Sequence, residues 1–315
     1  MRRGPSALNA LIAIDKPAGM TSHDVVARVR RCVGERRVGH AGTLDPDATG
    51  VLVVGIGQAT KLLGLLTLDR KGYRSSFVLG SSTTTDDASG EVLATAEVDP
   101  ALLAEDAARR ELAGLVGTFD QVPPAFSAVS VDGRRAYAMA RDGKSVELAP
   151  RRVTVHAAEL VEVRPETCEW VVDLDVSKGT YVRSIARDLG ERLGCHAHVG
   201  QLRRSFSGPV WLGSCVSLDE LEARGADLVH ERCLDPAATL GLAVRELRVE
   251  EVADVTCGRH IELGEVVDGG AAREPRPCER VALCFDGGLV GIWERRGCRL
   301  ACCSNFPISI EGVGA

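Results

Sequence analysis

The feature that most constrains this chain is a glycine-rich loop that opens into an uninterrupted apolar run. The loop reads Gly39-His40-Ala41-Gly42-Thr43-Leu44-Asp45-Pro46, and the run extends from Val51 to Ile56. A short apolar run bounded by turn residues is typical of a fully buried strand. We therefore predict a tight loop that presents Asp45 just before a buried strand.

Asp45 is the candidate reactive group of this loop. The ring of Pro46 pushes Asp45 toward extended backbone geometry. A carboxylate at the edge of a buried sheet can act as a nucleophile, as a general base or as a loop cap, and Asx-turns make the cap common. The loop lacks the GxxxxGK[ST] pattern of a P-loop, and Gly55-Ile56-Gly57 lacks the third glycine of a dinucleotide fingerprint.

The remaining pattern predicts an α/β or α+β fold with a mixed sheet, because strands and helices do not alternate strictly. The expected strands are Leu11–Ile14, Tyr73–Leu79, Val153–Val163 and Val171–Ser177. The expected helices run from about Asp24 to Gly34, from Pro100 to about Leu115, and from Tyr181 to Leu193. After about residue 238, short strands separated by glycines predict a small β-rich domain.

The formal net charge of −6 argues by itself against a nucleic-acid partner. Basic residues are nevertheless clustered, so the surface can still bind a polyanion locally. Solvated helix faces give the same pattern, and charge alone leaves the two interpretations open. The three clusters are Arg28, Arg30, Arg31, Arg36 and Arg37; Arg134, Arg135, Arg141 and Lys144; and Arg183, Arg187, Arg203 and Arg204.

The composition also bears on the cellular compartment, the state of the cysteines and metal binding. No stretch approaches the ~20 apolar residues of a membrane helix, and the run Leu11–Ile14 is too short for a signal-peptide core. We expect a cytoplasmic protein. The eleven cysteines contain no CxxC pair, which favours reduced thiols over a disulfide framework. Cys195, His196 and His198 lack the second ligand pair of a zinc site, so we expect no metal.

A second candidate site lies at a predicted strand-to-helix turn, Ser177–Arg183. It holds Tyr181, one of three tyrosines in the chain. Arg183 falls in the first turn of the helix, where a positive charge opposes the helix dipole. A surface position would explain such an arginine, and so would a specific task such as pairing a carboxylate.

A series of ordered motifs over about residues 10–210 resembles the signature of the TruB family, the tRNA pseudouridine-55 synthases. The Asp45 loop is continued by Ala48-Thr49-Gly50-Val51-Leu52. The other motifs include Asp15-Lys16-Pro17 with Thr21-Ser22-His23-Asp24, Gln58-Ala59-Thr60-Lys61, Gln121-Val122-Pro123-Pro124 with Gly133 and Tyr137, Lys178-Gly179-Thr180-Tyr181-Val182-Arg183, and His198 with Leu202-Arg203-Arg204.

The resemblance implies a fold and two domains. We expect a mixed, largely antiparallel pseudouridine-synthase sheet flanked by helices in residues 10–237. Residues 238–315 are similar to a small PUA-like domain of bacterial members. The implied activity is isomerisation of uridine 55 to pseudouridine in the T-loop of tRNA. It needs no cofactor or metal, because isomerisation conserves every atom of the substrate.

The resemblance also implies residue roles. Asp45 is the catalytic aspartate, and the guanidinium of Arg183 keeps it ionised. Attack on the sugar, attack on the base and a glycal route stay open. The substrate flips a nucleotide out of its loop, and the basic clusters contact tRNA phosphates. The expected substrate-binding residues are His40 on the splayed loop, Tyr73 stacked on the base, Tyr181 beneath it, and Lys61 and Leu202 lining the pocket.

Some positions depart from the family pattern. Asp47 stands where a hydrophobic residue is usual, Gly72 where a larger residue is common, Phe126 replaces a frequent Tyr and Ser130 a frequent Lys. Asp47 and Ser130 support an alternative function, a non-catalytic tRNA-binding or RNA-folding protein on the same scaffold. A guide-RNA-dependent enzyme ranks last, because nothing signals a surface for partner proteins. We expect a monomer that binds the T-stem-loop of tRNA without a protein partner.

Overall fold

A computed structural model describes residues 8–66, 70–127, 129–131, 134–135, 139 and 148–312. At residues 130, 131, 134 and 135 it describes the backbone alone. The predictions that concern Gly133, Tyr137, Arg141 and Lys144 lie outside the described residues.

The strands of the described residues, in chain order, are β1 (Ala10–Lys16), β2 (Val38–Ala41), β3 (Thr49–Ile56), β4 (Lys71–Leu79), β5 (Ser81–Thr83), β6 (Val92–Thr95), β7 (Gly117–Gln121), β8 (Ser130–Val131), β9 (Arg134–Arg135), β10 (Arg151–Arg164), β11 (Glu169–Val176), β12 (Ala197–Ser207), β13 (Val210–Trp211), β14 (Ala243–Glu246), β15 (Ile261–Glu262), β16 (Val266–Asp268), β17 (Ala271–Arg273), β18 (Arg280–Phe285), β19 (Gly288–Arg296) and β20 (Arg299–Glu311).

The α-helices of the same residues are α1 (Ser22–Val33), α2 (Leu63–Leu66), α3 (Glu105–Ala113), α4 (Val182–Leu193), α5 (Leu218–Arg224), α6 (Ala226–Arg232), α7 (Pro236–Thr239) and α8 (Val249–Thr256). Short 3-10 helices cover Gly57–Lys61, Pro100–Leu103, Pro165–Thr167 and Leu212–Ser214. None of the helices described is long and apolar enough to cross a membrane.

The chain forms two compact units. The first contains the described parts of residues 1–46, 50–68 and 207–315, and the second those of residues 47–49 and 69–206. In the first unit, β3 pairs antiparallel with both β1 and β2. Helix α1 covers one face of these strands through buried Val25, Val26 and Val29. Thr21 caps α1 in a reciprocal capping box and Gly34 ends it at φ 67°, as their side chains predict.

The first unit also contains a seven-stranded sheet, ordered β15-β20-β19-β18-β14-β16-β17. Strand β14 pairs parallel with β18, and the other pairs described in this sheet are antiparallel. Side chains alternate between its faces, as a strand requires. Val281 and Leu283 enter a core of their own, whereas Ala282 and Cys284 pack in the cluster that also contains residues of β1 and β3. One face of the seven-stranded sheet therefore packs against β1 and β3 and completes their core.

The second unit contains strands in the order β12-β4-β11-β10-β7. Strand β11 pairs antiparallel with β4 and β10, and β10 pairs antiparallel with β7. Helix α4 carries its apolar face inward through Val182, Ile185 and Leu189. The prediction of a mixed, largely antiparallel sheet with helices and a β-rich C-terminal region is confirmed.

One predicted helix was wrong in its continuity. Instead of one helix from Pro100 to about Leu115, a 3-10 turn at Pro100–Leu103 is followed by α3, with extended Ala104 between them. The indole of Trp170 donates to the carbonyl of Leu102 at 3.0 Å. A continuous helix needs that carbonyl as an acceptor for a later amide, so the tertiary contact favours the break.

Candidate active site

The Asp45 loop joins β2 to β3 and is fixed on both sides of the carboxylate. The hydroxyl of Ser22, the first residue of α1, accepts from the Leu44 amide at 2.9 Å and donates to the Leu44 carbonyl at 3.1 Å. The side chains of Leu44 and Ala48 are buried, whereas Asp45 is half-buried. The loop therefore holds its apolar residues inside and leaves Asp45 partly accessible, as a reactive carboxylate requires.

Lys16 holds the backbone of Pro46, the residue that follows Asp45. Its side chain is completely buried, and its Nζ donates to the carbonyls of Pro46 at 2.8 Å, Met20 at 2.7 Å and Pro17 at 2.8 Å. A buried ammonium is stable only when its donors are satisfied. Lys16 thus ties the turn after β1 to the Asp45 loop. The Asp15-Lys16-Pro17 motif is part of the family resemblance, but its lysine was not among the expected site residues.

His40 lies on β2, opposite Val54 of β3. Its ring meets that of His23 edge to face, with centroids 6.3 Å apart and planes at 85°. Because His23 is the second residue of α1, the pair adds a further contact between this helix and the Asp45 loop. The role of His40 on a splayed RNA loop stays a prediction.

Lys61 lies at the end of the 3-10 turn that follows β3. Its Nζ donates to the carbonyl of Asn305 at 3.0 Å and lies 5.4 Å from the ring centroid of Phe306. Burial, and secondarily the charge of Arg37, lowers the pKa of Lys61. The structure thus places Lys61 against β20, and its predicted pocket-lining role stays a prediction.

In the second unit, Tyr73 lies on β4 opposite Leu174 of β11, and its side chain is only 8% exposed. Leu202 lies on β12 and is half-buried. Gly72 matters for packing beside Tyr73, because a Cβ there would lie 2.1 Å from Cε1 of Phe206. The phenyl ring occupies the space that a larger residue at 72 would need, which accounts for the departure noted at that position.

Tyr181 precedes the first residue of α4, at the predicted strand-to-helix turn. The side-chain amide of Gln121 brackets it: Oε1 accepts from the Tyr181 amide at 2.9 Å and Nε2 donates to the Tyr181 carbonyl at 3.1 Å. The Tyr181 side chain packs against Val129 and Leu148. The backbone of Tyr181 is therefore fixed by a partner 60 residues away in sequence.

Arg183 has the specific task that its position opposing the helix dipole suggested. It is 4% exposed, and its guanidinium donates to the carbonyls of Thr85 at 2.9 Å and Phe126 at 3.0 Å. Its Nε lies 3.6 Å from a carboxylate oxygen of Asp87. Asp87 was not among the expected site residues, and its distance in sequence from Arg183 gave no signal. The pairing of Arg183 with Asp45 stays a prediction.

A second arginine of α4 binds the same turn. Arg187 pairs with Asp86 at 3.1 Å and donates to the carbonyl of Val122 at 3.0 Å. Asp86 adopts the left-handed conformation, with φ 59°. Burial raises the pKa of Asp86, against the opposing charges of Arg187 and Arg183. The turn at residues 85–87 is therefore held to α4 by two guanidiniums.

The expected site residues fall in two groups. Asp45, His40 and Lys61 belong to the first unit, and Tyr73, Tyr181, Arg183 and Leu202 belong to the second. In the part of the chain that the structure describes, no three His, Cys, Asp or Glu side chains are grouped as metal ligands. The groups available for chemistry are therefore the carboxylate of Asp45, whose loop is fixed, and the buried cations Lys16 and Arg183.

Two protein-family models match consecutive parts of the chain. Residues 30–182 match the TruB family pseudouridylate synthase N-terminal domain, and residues 183–239 match the tRNA pseudouridylate synthase B C-terminal domain.

Curated relatives carry the name tRNA pseudouridine synthase B. The protein of Arthrobacter sp. (strain FB24) is 44% identical over 291 residues, which covers 90% of this chain and 92% of the relative. That of Mycobacteroides abscessus is 48% identical over 258 residues, covering 81% and 85%.

Among solved structures, a chain of an H/ACA ribonucleoprotein bound to a substrate RNA containing 2'-deoxyuridine is similar, with a TM-score of 0.67 and 22% identity. That similarity covers 94% of this chain and 84% of the other. A chain of the archaeal box H/ACA Nop10-Cbf5 complex gives a TM-score of 0.66 at 23% identity, with 94% and 85% covered. At this identity the similarity concerns the fold.

Proposed function

The chain belongs to the TruB family of pseudouridylate synthases, and we propose that it acts on tRNA, isomerising uridine 55 of the T-loop to pseudouridine. The observation that carries the proposal is the position of Asp45 in a loop that Ser22 and Lys16 fix on either side of it. The names of the relatives support tRNA as the substrate.

In this reaction the bond from N1 of uracil to C1′ of the ribose breaks, the base rotates, and a bond from C5 to C1′ forms. The proton on C5 is lost and N1 gains a proton, so the atoms balance without a cofactor. Asp45 supplies the carboxylate that attacks the sugar or the base, or removes a ribose proton. Each route needs an ionised, positioned carboxylate.

The other residues serve this step. Arg183 holds Asp45 ionised, because a nearby opposite charge favours the charged form. Tyr73 stacks on the flipped base and accepts the proton from C5, and Tyr181 packs beneath the base. His40 supports the opened loop of the RNA, and Lys61 and Leu202 line the pocket. Extrusion of the target nucleotide costs a few kcal/mol of stacking energy, which these contacts offset.

The organisation in the cell follows from the same proposal. The chain acts as a monomer in the cytoplasm, without a protein partner. Residues 10–237 form the catalytic domain and residues 238–315 a PUA-like domain. Curated bacterial relatives that span nearly the whole chain support action by one polypeptide.

The test compares D45N with D47N, a matched control two residues away whose side chain is exposed. Each purified variant is incubated with an unmodified tRNA transcript, and pseudouridine is mapped along the RNA. D45N should lower the rate at the T-loop uridine by at least about 10²-fold and leave tRNA affinity unchanged, whereas D47N should retain activity. An active D45N, or a folded wild-type protein that binds tRNA without forming pseudouridine, would favour the non-catalytic RNA-binding alternative.

A further inference from the structure

The C-terminal end of α1 and the turn after it form an open basic cleft. Its lining residues, which we call the α1 cleft, are Arg30, Arg31, Gly34, Glu35 and Arg36. Arg30, Arg31 and Arg36 are exposed. In a chain of net charge −6, three arginines around one depression form a local positive field, which attracts an anionic ligand.

The positive charge of the cleft is not neutralised internally. No carboxylate of a described residue lies within 4.0 Å of the guanidinium of Arg30, Arg31 or Arg36, whereas Arg28, one turn earlier, lies 3.4 Å from Glu222. The carboxylate of Glu35 accepts a hydrogen bond from the Arg37 amide at 2.8 Å. The acidic residue of the cleft thus caps the turn.

The helix dipole explains only part of this arrangement. Arg30 and Arg31 lie in the last turn of α1, where cations are favoured by the exposed carbonyl groups. That effect falls off beyond the last turn, and Arg36 lies past Gly34, where the helix has ended. Arg30 also has a structural task, because its Nη2 donates to the Val38 carbonyl at 2.8 Å. The guanidiniums of Arg31 and Arg36 are therefore the two groups of the cleft that can bind an external ligand.

Helix α1 sets the distance between the cleft and the candidate active site. Its first residue, Ser22, binds the backbone of Leu44 beside Asp45. Its twelve residues span about 17 Å at about 1.5 Å per residue. Phosphates recur about every 3.4 Å of axis along one strand of a duplex. A nucleic acid that is bound at Asp45 and extends along α1 therefore brings phosphates to the distance of the cleft.

We propose that the α1 cleft binds backbone phosphates of the substrate RNA outside the target loop, with Arg31 and Arg36 as the contacting residues. The inference rests on the proposed function, because it takes the RNA to be the one presented to Asp45. Phosphate contacts position an RNA without reading its sequence, so the cleft contributes affinity and register. The reacting atoms lie elsewhere.

The test compares R31Q/R36Q with R110Q/R232Q, a control that removes the same charge from two other exposed positions. The affinity for a full-length tRNA transcript is measured by fluorescence anisotropy over a range of salt concentrations. The logarithm of the association constant falls as the logarithm of the salt concentration rises. Each lost phosphate contact makes this slope shallower by about 1. R31Q/R36Q should reduce the magnitude of this slope by about 1–2 and weaken binding at low salt, whereas R110Q/R232Q should leave both close to the wild-type values.

A slope for R31Q/R36Q equal to that of the control overturns the proposal, once circular dichroism shows that both variants are folded. A second arm adds polyglutamate as competitor. If R31Q/R36Q changes only the binding of polyglutamate, the cleft is a surface for acidic proteins and the proposal is wrong. Pseudouridine formation by the wild-type protein is measured separately, so failure of the proposed function is distinguishable from failure of the cleft.

Discussion

Replacement of Lys16 by methionine tests whether the Asp45 loop depends on one buried ammonium. Methionine keeps a long unbranched chain but removes the donor to the carbonyls of Pro17, Met20 and Pro46. A hydrogen bond from a charged group contributes about 1.5–3 kcal/mol, and water can replace part of each bond because Pro17 and Pro46 are exposed. Loss of the buried ammonium itself relieves part of its desolvation. We expect K16M to lower the free energy of unfolding by about 3–5 kcal/mol, because three hydrogen bonds from a charged donor are lost.

The assay is urea unfolding followed by circular dichroism, with a thermal scan in parallel. At about 2 °C per kcal/mol for a chain of this size, the melting temperature should fall by about 6–10 °C. The matched control is K178M, because Lys178 is exposed and exposed substitutions change stability by about 0.5 kcal/mol or less. K16M should also lower kcat at temperatures below the melting temperature, since the carbonyl of Pro46, next to Asp45, loses its partner. A K16M protein with the unfolding midpoint of K178M would refute the reasoning.

Two further predictions concern packing and pH. In G72A the new Cβ would lie 2.1 Å from the ring of Phe206, so the variant should lose about 1–3 kcal/mol. The double variant G72A/F206A should be less destabilised than the sum of its parts, a coupling that a double-mutant cycle measures, and strict additivity would contradict the clash. At the C-terminal sheet, hydrogen bonds from Arg273 hold the pKa of Glu279 at about 2, below its ordinary 4.5. The folded state therefore binds fewer protons than the unfolded state, so this stabilisation is present above pH 4.5 and is lost as the pH falls toward 2. Thermal midpoints of the wild-type protein should fall more steeply than those of E279Q in that range, and parallel curves would show that the pair contributes nothing.

The elements whose signals are local could be predicted from the sequence. Thr21 and Gly34 mark the two ends of α1 by their own conformational preferences, and the apolar run Val51–Ile56 is buried because every residue in it is apolar or glycine. The turn before α4 was likewise visible in the chain itself. In these cases the physics that decides the structure acts over a few neighbouring residues.

The parts that depend on distant partners could not be predicted. A lysine in a turn motif is ordinarily exposed, and Lys16 is buried because its acceptors include a carbonyl 30 residues away. The partner of Arg183 at Asp87 and that of Tyr181 at Gln121 come from separate segments. The break at Ala104 follows from an indole on another strand. Periodicity and capping carry no information about such contacts.

The C-terminal sheet contributes residues to the core behind the first strand: Leu11 and Ala13 share a buried cluster with Phe306 and Ile310. Synthesis on the ribosome runs from the amino terminus, and domains usually fold in the order they emerge. Strand β1 therefore keeps one apolar side uncovered until β20 has been synthesised. The core behind β1 is therefore complete only after the C-terminal sheet has folded against it.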